Sequence, residues 1–481
     1  MSASVGTEQP FAYMQVEQHV IRMIEAGRWR TGERLPSLRA LATSMGHSLA
    51  TVGHAYLELE RKGIIEVRPR SGHFVRACPR GLPVPQEKNA TPTGPRPVNR
   101  SRLIRTVLEA VGNRDLVPFG VLCPDASLLP SRTLGRILAD VMRKQPDLAA
   151  GYETVPGNLG LRRRIAWRMT ECGMSVDPDE VIITNGAVEA LYIALRSLTR
   201  PGDNVIIQSP TYYCFLQLLE TLGLRAIEVP CTPEAGIDPA ALRQMLDRHS
   251  VACCVFSPNF NNPDASLTPD PVKRDILDML AARGVQLVED DVSTDLHFGP
   301  TRPTTFLQMD THGLVTLCSS FSKTVAPGFR MGWMVPGRIL ERALEVKATT
   351  NVCCPTPTQM ALADYLGQGL LERHLRRLRT ALSGQLEACR VLLGECFPAG
   401  TTVTRPTGGG VLWVELPAGI DGTELFYRAR NAGIAIAPGG VFSTQERFNG
   451  FIRLGCNGLW NDDMAAGLRT VGRLAHELCR P

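Results

Sequence analysis

No stretch of this 481-residue chain approaches the roughly 20 consecutive apolar residues that a membrane-spanning helix requires. The N-terminus lacks the layout of a signal peptide, in which a basic stretch precedes an apolar core. The 14 cysteines include no pair at CxxC spacing, so we predict no metal site, and a chain of this length does not need disulfide bonds for stability. These absences lead us to expect a cytoplasmic protein with free thiols and no membrane partner.

Acidic residues are scarce at the front of the chain, where residues 1–105 contain 8 Glu and no Asp against 16 Lys or Arg. This segment has a formal charge of +8 and the whole chain has +5, so residues 106–481 sum to −3. A basic front on a slightly acidic body indicates a polyanionic partner for the front alone. The length also exceeds that of one ordinary core, so we expect about two or three domains.

Residues 11–76 have the pattern of three short helices followed by a β-hairpin. The segment 35–37 (LPS) opens the second helix, Gly46 ends it, and Ser48 can cap the third helix. Two short apolar strands follow, separated by a basic turn at residues 68–73. This order is typical of a winged helix-turn-helix, in which the third helix enters the major groove of DNA.

The segments GERLPSLRALA, TVGHAYLELERKGII and RPRSGHFV resemble the winged-helix domain of the GntR family. The resemblance implies a double-stranded DNA operator as partner, contacted by Arg39, Ser48, Thr51, His54, Arg68, Arg70 and Gly72. From the residues alone, Arg39 could instead bridge two helices and His54 could face solvent. Many relatives have an arginine after the capping serine, whereas this chain has Leu49, so one guanine contact of the family is absent.

Residues 77–114 form the predicted linker. Six prolines between residues 79 and 97 interrupt any apolar period, and such a composition is typical of a semi-extended tether. We expect this tether to let the DNA-binding domain move relative to a larger domain at residues 115–481.

Short apolar segments alternate with helical patterns in that larger domain. The segments are residues 181–183, 205–207, 252–256, 285–288, 315–317 and 333–335. The alternation predicts an α/β fold with a mainly parallel sheet buried on both faces, of the seven-stranded type. We expect a smaller α+β subdomain from about residue 340 to residue 481. In such sheets ligands bind at the carboxyl ends of the strands.

The turn SSFSKTVAPGFRMGW at residues 319–333 combines an amine with several anion-binding groups. Lys323 can condense with a carbonyl group, Ser320 and Ser322 offer hydroxyls, and Arg330 adds a permanent charge. Other predicted strand ends lead to a helix-opening glycine, an aromatic side chain, an amide and a carboxylate. Each signal alone is also typical of a turn, but the ordered set is what a phosphorylated pyridine would need.

Taken in order, these segments resemble the fold-type-I pyridoxal-phosphate enzymes, the aminotransferase class, over residues 115–481. The resemblance implies pyridoxal 5'-phosphate as cofactor and Lys323 as the catalytic Schiff-base lysine. It implies that Asp290 pairs with the pyridine nitrogen, Asn262 with the ring hydroxyl, and that Tyr212 stacks on the ring. The implied phosphate cup consists of Gly186, Ala187, Ser320, Ser322 and Arg330.

Two further residues complete the resemblance. Tyr152 matches a tyrosine that reaches the phosphate of the partner subunit, which implies a homodimer. Arg453 matches an arginine that binds a substrate carboxylate in bidentate fashion, and here would bind that of an effector.

Two positions depart from the pattern of the class. Ser293 stands where relatives usually have a tyrosine that donates to the ring oxygen, and residues 262–265 read NPDA where relatives often read NPxG. Loss of the tyrosine donor should raise the pKa of the Schiff base. We therefore expect cofactor binding, with efficient transamination in question.

A winged helix of the GntR type joined to an aminotransferase-like domain is the arrangement of the MocR subfamily of bacterial transcription regulators, which this chain resembles over its full length. The resemblance implies a regulator, rather than primarily an enzyme, that senses pyridoxal phosphate or a small amino compound as an external aldimine. Two alternatives remain open. One is an active aminotransferase acting on amino acids or amines, and the other is a DNA-binding protein that ignores the cofactor.

Overall fold

The computed structural model describes residues 12–25, 28–30, 32–61, 64–68, 71–75, 82–85, 91–99, 101–110, 113 and 115–479. The chain divides into two compact units, one comprising Met1–Leu82 with Glu387–Glu395 and the other Pro83–Leu386 with Cys396–Pro481. In the described part of the chain, no helix is both long enough and apolar enough to cross a membrane. The 13 cysteines within the described ranges are all free.

The first unit contains a three-helix core and a hairpin. Its elements are α1 (Ala12–Glu25), α2 (Leu38–Met45), α3 (Leu49–Arg61), β1 (Ile65–Arg68) and β2 (Gly72–Val75). The helices bury one apolar stripe each, formed mainly by Val16, Val20, Leu41, Val52, Tyr56 and Leu59. β1 and β2 pair in antiparallel register, with Ile65 opposite Val75 and Arg68 opposite Gly72. The predicted winged helix-turn-helix is confirmed.

Local capping explains where the second and third helices begin. The Ser37 hydroxyl accepts a hydrogen bond from the Ala40 amide at 3.2 Å, and the Ser48 hydroxyl accepts one from the Thr51 amide at 3.0 Å. Gly46 ends α2 in the left-handed conformation, with φ of 69°, which glycine adopts without strain. The turn between α2 and α3 is therefore set by Gly46 and Ser48.

The strands that follow are β3 (Arg96–Pro97), β4 (Val117–Pro118), β5 (Ile182–Thr184), β6 (Asn204–Ser209), β7 (Arg225–Thr232), β8 (Gly236–Ile237), β9 (Cys253–Phe256), β10 (Gln286–Asp290), β11 (Val315–Ser320), β12 (Gly332–Val335), β13 (Thr402–Val403), β14 (Val411–Glu415), β15 (Ile434–Ala435), β16 (Ala437–Pro438) and β17 (Phe451–Gly455). The helices are α4 (Ser101–Leu108), α5 (Ser131–Lys144), α6 (Pro146–Ala150), α7 (Leu159–Glu171), α8 (Ala187–Leu198), α9 (Tyr213–Thr221), α10 (Pro239–Arg248), α11 (Asp270–Ala281), α12 (Phe306–Met309), α13 (Leu340–Thr350), α14 (Thr356–Gly367), α15 (Leu371–Cys396), α16 (Gly422–Asn431) and α17 (Asp462–Leu478).

A large mixed sheet organises the second unit. Without the two-residue strands β3 and β8, seven strands remain, in the order β7-β6-β9-β10-β11-β12-β5. Five neighbouring strands are parallel to one another, namely β7, β6, β9, β10 and β11. β12 runs antiparallel to both of its neighbours, β11 and β5. The predicted mainly parallel sheet is confirmed. β12 runs back from the turn that contains Lys323, and β5 pairs with β12 on its other side.

A smaller four-stranded antiparallel sheet, in the order β13-β14-β17-β16, follows in the C-terminal part of the unit. The start of the second unit packs against this part, because β4 pairs in parallel with β15. The Gly455 amide also donates to the Phe119 carbonyl at 2.7 Å. The segment that follows β4 is thereby held next to β17.

Part of the predicted linker is ordered on the second unit. β3 pairs with β7 in antiparallel register, and α4 follows at residues 101–108. The Thr93 amide donates to the Glu228 carbonyl at 3.3 Å. Within the predicted linker, Arg96 and Pro97 therefore form an edge strand of the large sheet rather than part of a free tether.

Candidate functional site

The predicted cofactor residues follow the carboxyl ends of neighbouring strands. Lys323 lies in the turn after β11, Asp290 ends β10, and Tyr212 lies between β6 and α9. β10 and β11 are hydrogen-bonded neighbours, with Asp290 opposite Cys318. Because parallel strands end at the same edge of the sheet, these side chains converge there.

Lys323 is partly buried, and its amine donates a hydrogen bond to the Leu122 carbonyl. Burial lowers the pKa of this amine to about 8, and the charges of Arg453 and Arg330 lower it as well. Cys123 and Asp290 act in the opposite direction. The lowered pKa gives Lys323 a larger neutral fraction near neutral pH than an ordinary surface lysine has, which favours its action as a nucleophile.

Asp290 is buried, with only 8% of its surface exposed, and it accepts a hydrogen bond from the Val292 amide at 3.2 Å. Burial raises the pKa of its carboxyl to about 7, and the neighbouring Asp291 raises it further, against the lowering effects of the Val292 amide and Lys323. A cationic ring nitrogen placed here would favour the ionised carboxylate.

The three predicted cup side chains in the turn after β11 form one hydrogen-bonded group. The Ser320 hydroxyl donates to the Ser322 hydroxyl at 2.8 Å, and Arg330 Nη1 donates to the Ser322 hydroxyl at 3.2 Å. Arg330 Nη2 donates to the Asn185 carbonyl at 3.2 Å, which joins this turn to the start of α8. Two hydroxyls and a guanidinium at one place match the donors that bind phosphate.

Gly186 brings the start of α8 against Arg330. Its φ is 78°, and a Cβ added there would lie 2.4 Å from Arg330 Nη2, so only glycine fits. Gly186 provides no side-chain cap to α8. The first amides of that helix, beginning at Ala187, can therefore bind an anion, which the helix dipole also favours. Together with the preceding donors, this cradle fits the phosphate of pyridoxal phosphate.

The ring-contacting residues predicted from the sequence lie beside Arg453. The Asn262 side-chain oxygen accepts from Arg453 Nη1 at 3.4 Å. The Tyr212 ring lies 4.6 Å from the Tyr213 ring, measured between centroids, and burial raises the pKa of the Tyr212 hydroxyl. An aromatic ring and an amide are thus available near Arg453.

Arg453 is 1% exposed and lies on β17. Its Nη2 donates to the Gly120 carbonyl, and its guanidinium lies 5.7 Å from the centroid of the Phe442 ring. Within the described residues, Arg453 Nε is buried and has no hydrogen-bond partner. Burial lowers the pKa of the guanidinium. A buried cation with an unused donor fits the carboxylate of a ligand.

Tyr152 does not join this group within one chain. Its side chain is 94% exposed, so its surface is available to a second subunit. The role predicted for Tyr152 concerns that second subunit and stays a prediction.

Several site features escaped prediction. The Gly120 carbonyl accepts from Arg453, and the Leu122 carbonyl accepts from Lys323. Every residue has a main-chain carbonyl, so the sequence does not show which ones contact the site. Phe442, in the short 3-10 turn Gly439–Phe442, was not predicted as a site residue. Its packing against Arg453 depends on tertiary contacts that no local pattern reveals.

The two departures from the class lie close to the site. Ser293 is partly buried and precedes a short 3-10 turn, to which it gives no side-chain cap. Ala265 has φ of 57°, a left-handed conformation that glycine adopts without strain and alanine does not. The Asp264 carboxylate accepts hydrogen bonds from the side-chain amide of Asn261 at 2.7 Å and from the Ser266 hydroxyl at 3.1 Å. These bonds hold the turn that carries Asn262.

Most predicted DNA contacts lie on the surface of the first unit. Arg39, Ser48 and His54 are exposed, and the Ser48 and Thr51 hydroxyls bond each other at 2.7 Å. The His54 ring packs edge-on against Tyr13, with 4.5 Å between centroids. Arg39, Ser48 and His54 are therefore accessible on the surface of the first unit.

The wing residues form a separate group. Arg68 Nε donates to Glu66 at 2.8 Å, and its guanidinium lies 4.3 Å from the Phe74 ring centroid. Gly72 has φ of 102°, and the Arg34 side chain lies beside it. Arg34 was not predicted, although it belongs to the GERLPS segment. Arg70 lies outside the described residues.

The fold and the site together define an aminotransferase-type domain preceded by a winged-helix DNA-binding domain. Residues 129–470 match the family described as aminotransferase class I and II, and residues 12–75 match the bacterial regulatory proteins of the gntR family. The chain therefore belongs to the aminotransferase class I and II family, and it carries a GntR-type DNA-binding domain at its front, as MocR-type regulators do.

Relatives occur with and without the DNA-binding domain. The HTH-type transcriptional regulator YdcR of Escherichia coli is 36% identical over 466 residues, which cover 97% of this chain and 99% of that protein. The 2-aminoadipate transaminase of Thermus thermophilus is 30% identical over 77% of this chain and 92% of the enzyme. The crystal structure of LysN, an alpha-aminoadipate aminotransferase of Thermus thermophilus, superposes with a TM-score of 0.73 and 29% identity over 78% of this chain and 95% of that chain. That structure contains N-(5'-phosphopyridoxyl)-L-leucine.

Proposed function

We propose that this GntR-type regulator binds pyridoxal 5'-phosphate at Lys323 and uses its aminotransferase-like domain to sense a small amino compound. Binding of that compound changes the affinity of the winged-helix domain for its operator. One observation supports this proposal most directly. Ser320, Ser322 and Arg330 meet the start of α8, and the same segment contains Lys323, whose pKa is lowered to about 8.

When bound, pyridoxal phosphate supplies an aldehyde that condenses reversibly with amines. Lys323 holds its amine partly neutral and close to the phosphate donors, and Asp290 offers a carboxylate for a cationic ring nitrogen. Tyr212 and Asn262 would contact the ring. Arg453 would hold a carboxylate of the effector, which favours amino acids among amino compounds.

A regulatory effect requires that the effector bind one conformation more tightly than another. We propose that the chain acts as a homodimer, in which two winged helices contact two operator half-sites. The exposed residues Arg39, Ser48 and His54 support this assignment of the DNA-binding face. The exposed Tyr152 supports a contact with the phosphate of the partner subunit.

The first test is an absorbance titration of the full-length protein with pyridoxal phosphate. We expect a saturable visible absorbance band, on the order of one equivalent per chain, because the cofactor aldehyde condenses with the Lys323 amine. Borohydride reduction should then leave a phosphopyridoxyl group on the peptide that contains Lys323. The variant Lys323→Ala should show neither the band nor the adduct. An adduct on another lysine, or no binding, would refute the proposal.

The second test measures regulation. Duplex DNA selected in vitro for binding to the full-length protein is titrated with and without pyridoxal phosphate and each of the twenty standard amino acids. We expect at least one amino acid to change both the cofactor absorbance and the DNA affinity, and the DNA response to vanish in Lys323→Ala. DNA affinity that is independent of cofactor and lysine would instead identify a cofactor-blind DNA-binding protein.

An active aminotransferase is the second candidate, favoured by the 30% identity over 92% of the length of a transaminase. It predicts steady conversion of an amino donor and a keto acid that stops in Lys323→Ala. Ligand-dependent DNA binding without such turnover favours the regulator.

A further inference from the structure

A buried carboxylate on β7 joins two segments that are distant in sequence. Glu228 is 1% exposed. It accepts from the Ser209 and Ser443 hydroxyls at 2.6 and 2.8 Å, from the Thr444 amide and hydroxyl at 2.6 Å each, and from the Gln445 amide group at 3.4 Å. Burying a carboxylate is costly unless donors surround it, and these donors come from the end of β6 and from residues 443–445.

The segment that Glu228 holds leads directly to the candidate effector site. Phe442 precedes Ser443, its ring lies 5.7 Å from the Arg453 guanidinium, and the same ring lies 5.8 Å from the Tyr213 ring. The Thr211 amide donates to the Phe442 carbonyl at 2.9 Å. A ligand carboxylate bound by Arg453 would therefore meet the loop at residues 439–445, which we call the Phe442 loop.

The other end of the same loop contacts the linker. Gln445 Nε2 donates to the Thr93 hydroxyl at 3.0 Å as well as to Glu228. The Thr93 amide donates to the Glu228 carbonyl at 3.3 Å, two residues before β3 begins to pair with β7 at Arg96 opposite Ala226. Gln445 thus connects a loop of the effector site to the linker that leads toward the DNA-binding domain.

We propose that Gln445, held by Glu228, couples occupancy of the site at Arg453 to the docking of linker residues 91–97 on β7. This inference rests on the proposed sensing function. A ligand carboxylate bound by Arg453 contacts Phe442 and holds the Phe442 loop in its bonded position, which strengthens the bond from Gln445 to Thr93 and holds the linker more firmly. Because coupling is reciprocal, release of the linker in turn weakens ligand binding.

The test is hydrogen–deuterium exchange on the full-length protein, with N-(5'-phosphopyridoxyl)-L-leucine as the probe. This molecule carries a phosphate and a carboxylate and undergoes no turnover. At saturating probe we expect exchange in peptides covering residues 91–98 to slow by about fivefold or more, the lower range of ordinary coupling free energies. In Gln445→Ala, saturating probe should not change the exchange of these peptides, and the same result is expected for Thr93→Val.

Gln368→Ala is the matched control, because Gln368 is an exposed glutamine of the same unit, at the end of α14. It should respond as the wild type does. If probe binding slows exchange of residues 91–98 in Gln445→Ala as much as in the wild type, the proposed coupling is wrong. Failure of the wild type to bind the probe, measured by calorimetry, would instead refute the proposed function on which the coupling depends. Melting temperatures of all variants establish that each is folded.

Discussion

Three cationic side chains meet near the carboxyl ends of the sheet, and their neighbours give them different properties. Arg330 is engaged by the Ser322 hydroxyl and the Asn185 carbonyl, whereas Arg453 is buried with an unused donor and Lys323 faces a single main-chain carbonyl. An arginine offers an anion a planar fork of donors, whereas a lysine offers a single amine. Lys323 is the residue whose charge the site can change.

The lowered pKa of Lys323 gives a pH-dependent prediction. Burial and the neighbouring arginines lower the pKa from 10.5 to about 8, so the amine is neutral above about pH 8 instead of above its ordinary value. The rate of pyridoxal phosphate condensation should therefore rise between pH 7 and about 9 and then level off. Stopped-flow absorbance measures this rate. A rate that continues to rise toward the pKa of a free lysine would contradict the assignment.

Gly186 permits a second prediction, because the chain offers a matched control. A Cβ on Gly186 would lie 2.4 Å from Arg330 Nη2, whereas a Cβ on Gly202, whose φ is 95°, meets nothing within 4 Å. Both alanine variants should lose about 1–2 kcal/mol of unfolding free energy from backbone strain. Gly186→Ala alone should also weaken pyridoxal phosphate binding, by about tenfold, because it displaces a phosphate donor.

Urea unfolding measures the strain in both glycine variants, and absorbance titration measures the affinity. Equal cofactor affinity in Gly186→Ala and Gly202→Ala would exclude Arg330 and the start of α8 from the phosphate site.

Among the elements, α3 has a capping serine before its first turn, and the proposed function also assigns this serine to the DNA contacts. Ser48 caps α3 and bonds the Thr51 hydroxyl, while Ser37 caps α2 in the same manner. Ser48→Ala and Ser37→Ala should each lower the unfolding free energy by about 1 kcal/mol. Ser48→Ala should weaken DNA binding more, because the first turn of a recognition helix faces the groove. Fluorescence anisotropy with selected duplex DNA would show this difference, and equal affinities would remove Ser48 from the DNA contacts.

The elements also show how far local pattern determines this fold. Capping serines, a breaking glycine and apolar stripes predicted α1 to α3 and the hairpin, because those signals act within a few residues. β7 was not predicted, since Glu228, Pro230 and Thr232 interrupt its apolar residues, yet Glu228 lies buried among donors supplied by other segments. The direction of β12 and the docking of β3 depend on pairing with distant strands. The side chains that the structure brings together around Lys323 and Arg453 were named from the sequence, whereas the carbonyls and the loop that surround them required tertiary structure.

For the whole molecule, the proposed homodimer is the feature that one chain cannot display. If Tyr152 of each subunit donates to the phosphate in the other, its 94% exposure in the single chain becomes a contact across the interface. Tyr152→Phe should then weaken pyridoxal phosphate binding by about tenfold or more, the effect of losing a hydrogen bond to a charged group. Lys323→Ala should form no adduct.

Co-expression of these two variants under different affinity tags separates the interface model from a contact within one chain. In a hybrid dimer, the Tyr152→Phe subunit keeps Lys323 and receives the intact Tyr152 of the Lys323→Ala subunit, so one site in each hybrid is complete. Hybrids purified by both tags should bind pyridoxal phosphate with wild-type affinity at about half of their sites, as two-fold symmetry requires. If Tyr152 served its own chain, no site in the hybrid would be complete. The titration would then show only the weak affinity of Tyr152→Phe.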